Sequence, residues 1–313
     1  MVFQLLLRLA ALSLAIAILP EAGEGRPLRV VATIKPVHSL TAYVLDGVAA
    51  PTLLLEGGAS PHSYALKPSD ASALSHADVI VRISKNLEVF LNRSLAALPA
   101  KAEIIELDAA PGLSLLPLRS DAISSGESGG QHTGEEPHPH GDFDVHFWLD
   151  PINGAAIADY LASKFTAIDP DHAPHYEANA KKLRERLVLL DREFRERLAG
   201  ISGKPFLVFH DVTQYFEKRY GLNGLGAITI SPERAPGAKR LAVIRTRIRE
   251  TQAICVFSEP QFQSKLVDTL IEGTKAKQGL IDEIGAALPP GPEQYFTLLR
   301  ADAESLASCL KSD

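Results

Sequence analysis

Cysteine is scarce in this chain, with two among 313 residues, so at most one internal disulfide can form. Cys255 lies in the apolar run 253–257 and Cys309 in the last helical stretch. A bridge would pin that helix onto the second half of the chain, and two buried thiols are the alternative. Neither cysteine stands near residues 22–25, which speaks against a lipid anchor there. A basic surplus is also missing. The 32 Lys and Arg against 38 Asp and Glu give a net charge of -6, which leaves no electrostatic footprint for nucleic acid. The long apolar run at 9–19 follows Arg8 and precedes the small residues Ala22, Gly23 and Gly25. It reads as a secretory signal peptide over residues 1–25, too short to cross a bilayer as a mature helix, and no other candidate span follows. With 46% hydrophobic and 22% charged residues, the chain suits a soluble exported protein with room for two domains.

Proline and glycine are absent from residues 175–199. There Tyr176, Ala180, Leu183, Leu187, Leu190, Phe194 and Leu198 recur at three- and four-residue steps, one stripe along a helix. At ~1.5 Å per residue it spans about 40 Å. Acid-to-base pairs at i,i+4, such as Asp191 with Arg195 and Glu193 with Arg197, cover the other side. No second long heptad segment is there to form a coiled-coil arm with it. The stretch therefore reads as a rigid beam, residues 171–200, between a lobe at 26–170 and a lobe at 201–313.

On both sides of the beam, strand-like and helix-like runs alternate. Strands are expected at 28–34, 52–55, 78–83 and 102–107, with helices opening at Pro36, Lys67 and Leu87 and, after the insertion described next, at Pro151. Beyond the beam, strands at 205–209, 226–230, 253–257 and 279–281 alternate with helices at 212–220, 238–249, 262–271 and 293–311. The expected fold class is α/β: two similar lobes, each a mostly parallel sheet flanked by helices, joined by one long rigid helix. Residues 121–142 break the rhythm and are too polar to fold alone. They read as a mobile insertion, either a plain solvated loop or a loose metal-collecting tether carrying His132, His138 and His140.

Ligands of such sheets gather at the carboxyl ends of strands. His62 follows the strand 52–55; His146 stands in Asp144-Val145-His146-Phe147-Trp148, which holds the only tryptophan; His210 ends the strand 205–209; Asp282 ends the strand 279–281. Each lobe contributes two. Three imidazoles and one carboxylate make a tetrahedral set suited to zinc, whereas manganese would favour more oxygen. Asp144 and Asp211 are candidates to orient the imidazoles, or else cap the helices that follow. His38, His76, His172 and His175 read as packing or surface residues. No HExxH-type segment supplies a general base, which counts against the rival reading of a three-histidine zinc hydrolase.

At these segments the chain resembles the zinc-binding receptors of bacterial ATP-binding-cassette importers, the ZnuA-like metal-specific solute-binding family. The matching stretches are Gly58-Ala59-Ser60-Pro61-His62 with Lys67-Pro68-Ser69-Asp70, the segment 144–149, and 207–211 with Tyr215-Phe216-Glu217. Pro236-Gly237-Ala238, the run 255–262 and the ending 307–311 continue it, so it covers essentially the whole mature chain. The resemblance implies Zn2+ held between the lobes by His62, His146 and His210, with Asp282 at the fourth position, and a disulfide between Cys255 and Cys309. It further implies a monomeric periplasmic receptor, not an enzyme, that hands zinc to an inner-membrane permease driven by a cytoplasmic ATPase. Members that prefer manganese or iron commonly carry glutamate where His210 stands, so a manganese or iron receptor is the nearer alternative. A stiff beam implies small local changes on metal release, and neutral imidazole ligands imply affinity that weakens below pH ~6.5.

Overall fold

The computed structural model describes residues 26–97, 102–119, 143–229, 236–262 and 264–311. The leader expected at 1–25 and the insertion with His132, His138 and His140 lie outside these residues.

The first sheet comprises β1 (Val30–Ala32), β2 (Thr52–Leu53), β3 (Val79–Arg82) and β4 (Glu103–Glu106), all parallel, in the order β2-β1-β3-β4. Helices α1 (Lys35–Val44), α2 (Pro68–His76) and α3 (Val89–Ala97) make the crossovers. The central strands are runs of Val, Ile and Ala buried on both faces, as a parallel sheet covered by helices requires. Next come α4 (Pro151–Ile168) and α5 (Ala173–Leu198). The second sheet comprises β5 (Pro205–His210), β6 (Asn223–Thr229), β7 (Cys255–Ser258) and β8 (Lys277–Leu280), again parallel and in the corresponding order β6-β5-β7-β8. Its helices are α6 (Gln214–Tyr220), α7 (Ala238–Glu250), α8 (Ser264–Ile271) and α9 (Gln294–Leu310).

Helix α5 joins the two sheets, and every residue of its apolar stripe is buried. It is not a free-standing strut. Helix α4 runs back along it, and on another flank Arg186–Glu293, Arg300–Glu193 and Arg197–Glu304 ion pairs fasten it to α9. Both partners fall within stretches read as helix from the sequence, but pairing between distant segments leaves no mark in a local repeat. Helix α9 also reaches α1, where Ser39 Oγ donates to Pro292 O at 3.0 Å and accepts from Tyr295 N at 3.0 Å. The closing helix of the second lobe is thus packed on the first. Cys255 and Cys309 form a disulfide between β7 and α9, which settles the alternative of two free thiols.

Candidate metal centre

His62, His146 and His210 come together at the cleft between the sheets, and the carboxylate that joins them is Glu283. One ligand atom from each lies within 4.8 Å of the others. Nε2 of His146 is 3.4 Å from Nε2 of His62 and 3.3 Å from Nε2 of His210. Zinc with ~2.0–2.1 Å bonds to nitrogen holds tetrahedral donors about 3.3 Å apart, so these imidazoles already stand at ligand-to-ligand spacing. Oε2 of Glu283 is 3.3 Å from His146 Nε2 and 3.9 Å from His210 Nε2. Both oxygens of this wholly buried carboxylate lack a hydrogen-bond donor. A buried carboxylate is costly unless paired; His146 beside it meets part of that need in the metal-free site, and a cation among the four donors would take over that pairing.

Each donor is placed by its local fold. His210 is the last residue of β5, and His146 directly precedes the short helical turn Phe147–Leu149 that leads into α4. His62, half-buried, stands on the loop after β2, where its N–H donates to Ser60 Oγ at 3.3 Å. Glu283 lies in the turn after β8, its backbone oxygen accepting from Trp148 Nε1 at 3.0 Å. That turn is braced from the first lobe by Lys35, whose Nζ donates to Gly285 O, Ala286 O and Leu288 O at 2.7–2.9 Å.

Two sequence expectations change here. Asp282 is not among the gathered donors. Its Oδ1 accepts from Gly285 N and Gln261 Nε2, both at 2.9 Å, and its Oδ2 from Ala286 N at 2.6 Å. Those bonds fold the turn back on itself, so Asp282 shapes the loop and the next residue, Glu283, presents the carboxylate. Asp211 does not orient His210 either; it pairs with Arg119. The orienting acid is Glu259, whose carboxylate oxygens lie 2.9 Å from His210 Nδ1 and which also accepts from His210 N at 3.1 Å. Asp144 does the same for His146, at 2.7 Å from Nδ1 and 3.0 Å from N. In both cases an acid on Nδ1 directs Nε2 at the common centre. Glu259 directly follows β7, so the strand-end logic that found His210 would have found it if applied to that strand. The other described histidines lie outside this group: His38 contacts Pro51 O at 3.1 Å, and His76 and His172 bond locally.

Electrostatics couple these groups. Burial alone would lower the His146 pKa, but Asp144 and Glu283 outweigh it and push it up to about 10. His210 is also raised: Glu259 and Glu283 overcome its burial. Burial works to raise the Glu283 carboxyl, yet His146 and His210 hold it down to about 2. The metal-free site therefore keeps His146 protonated at neutral pH, whereas a metal requires its neutral form. Zinc binding at pH 7 is expected to release at least one proton per ion, and the affinity to fall as pH drops from about 10, not only below ~6.5. Stability of the metal-free protein runs the other way. The raised histidine contributes fully below ~6.5, its unfolded value, and the contribution is lost as pH climbs toward 10. Calorimetric titration in two buffers of different ionisation enthalpy reads the proton count; zero release would refute this coupling.

The chain is similar to known proteins along most of its length. The sequence profile of the family described as "Zinc-uptake complex component A periplasmic" matches residues 30–309. The "High-affinity zinc uptake system protein ZnuA" of Brucella abortus is 43% identical over 304 residues, covering 90% of this chain and 91% of the relative. The protein of the same name from Yersinia pestis is 33% identical over 290 residues, with the same coverage of both. Among solved structures, the laminin-binding protein of Streptococcus agalactiae, described as bifunctional with adhesin and metal-transporting activity, superposes with a TM-score of 0.74 at 26% identity. That match covers 91% of this chain and all of the other.

Proposed function

This chain belongs to the family of the periplasmic zinc-uptake component A, and on that premise we propose that it captures Zn2+ with His62, His146, His210 and Glu283. Residues 26–170 and 201–313 serve as the two metal-binding lobes and 171–200 as their link. The observation that carries the reading is the spacing of the three Nε2 atoms around a buried, unsatisfied carboxylate. Three nitrogens favour zinc over manganese. Glu283 fills the fourth position, so a captured ion keeps no open site for an activated water, and the chain acts as a receptor without catalysis.

In this reading the protein works in the periplasm as a monomer and delivers zinc to an inner-membrane ATP-binding-cassette permease with its cytoplasmic ATPase. No described helix is long and apolar enough to cross a membrane, so in this reading the translocation path belongs to the permease. Competition titration tests the metal: zinc is expected to displace manganese stoichiometrically, and preferential retention of manganese or iron would overturn the assignment.

A further inference from the structure

We propose that Arg119 is a positioning residue that locks the two lobes around the ion and sets how long zinc stays bound. This inference rests on the zinc-receptor reading. The guanidinium comes from the first-lobe segment 114–119 and meets two carboxylates of the second lobe. Its Nε donates to Asp211 Oδ2 at 2.9 Å, and its terminal nitrogens reach Asp211 Oδ1 and both oxygens of Glu217. Asp211 directly follows the donor His210, in a tight turn closed by Val212 N to His210 O at 2.9 Å. Glu217 is further fixed by Thr213 Oγ1 at 2.7 Å, and it occupies the space that a side chain on residue 224 would need, which Gly224 leaves open.

The other end of the clamp is tied to His146. Leu116 O accepts from Asp144 N at 2.8 Å, and Asp144 holds the His146 ring. Tyr215 of α6 spans the same junction, donating to Asp144 O at 2.6 Å and accepting from Leu116 N at 3.1 Å, while Gln214 Nε2 donates to Pro117 O at 3.0 Å. The segments bearing His146 and His210 are thereby joined without the ion, and Arg119 supplies the charged part of that joint. Its side chain is three-quarters shielded from solvent, so the charge-assisted bonds are only partly screened. A bidentate fork on two acids is something lysine cannot reproduce.

Stopped-flow release of zinc from the loaded protein into an excess of chelating dye tests the clamp. Arg119→Gln is expected to speed release about tenfold or more, Asp211→Asn to do likewise, and the double variant to go no further than the faster single. Arg119→Lys recovers only part of the retention. Cobalt-loaded Arg119→Gln keeps the four-coordinate absorption of the wild type, because all four donors remain, while its metal-free melting temperature falls because Glu217 is left shielded without its cation. Should Arg119→Gln fail to fold, Asp211→Asn decides. Unchanged release in the single variants, or effects that multiply in the double, would overturn the clamp while leaving the receptor reading intact. A wild-type chain that retains no zinc, with His146→Ala indistinguishable from it, would overturn the receptor reading itself.

Discussion

Alanine at His146 or Glu283 is expected to lower zinc affinity by well over the roughly 10–100-fold that follows loss of an outer hydrogen-bond partner. The two substitutions act differently. His146→Ala removes a nitrogen donor and leaves Asp144 buried without its imidazole. Glu283→Ala removes the only carboxylate in the gathered set, so the captured ion would carry its charge into a buried site with three neutral donors. Asp282→Asn keeps the size and one acceptor oxygen of the side chain, so the turn persists in weakened form and the loss is smaller than for Glu283→Ala. Chelator-competition titration at pH 7 ranks the three. Equal or greater loss in Asp282→Asn would return the ligand role to that residue.

Removing the disulfide has the largest expected effect on stability. Cys255 and Cys309 are 54 residues apart, and closing a loop of that length contributes about 4 kcal/mol on the chain-entropy account. For a chain of this size, the Cys255→Ser/Cys309→Ser double variant is expected to melt roughly 7 °C below the wild type in the metal-free state. The consequence extends beyond the strand, because α9 carries Asp302, which accepts from Asp282 N at 2.9 Å and so supports the turn bearing Glu283. Calorimetry of the metal-free protein gives the stability term; an unchanged melting temperature would show that packing of α9 on α1 and α5 suffices without the bond.

The alternation of elements was legible because the central strands β1, β3, β5 and β7 are largely apolar runs, and helices such as α1, α2 and α4 open with a proline in their first turn. Three of the gathered side chains were legible for a related reason: His62, His146 and His210 are imidazoles at or near strand ends. Glu283 was not. The last strand ends at Leu280, and which of two consecutive acids faces the cleft depends on Asp282 bonding the backbone of the turn, an interaction between near neighbours that residue type alone does not reveal. Glu259 stands at the end of β7, within reach of the strand-end reasoning; only its pairing with His210, 49 residues earlier, left no local mark. Arg119 was hidden similarly, since its partners Asp211 and Glu217 lie 92 and 98 residues further on.

The mechanical setting of α5 bears on which ions can be admitted. A helix gripped along one side by α4 and along another by α9 does not yield readily, so the width of the gap between the sheets is fixed before any ion arrives. Calcium, with ~2.3–2.6 Å bonds and a preference for six or more oxygens, is disfavoured first by a set of three nitrogens and one carboxylate, and its longer bonds would also ask the gap to widen. Exclusion by size is then enforced some distance from the donors, and softening the helix bundle would broaden the range of acceptable cations without altering a single ligand.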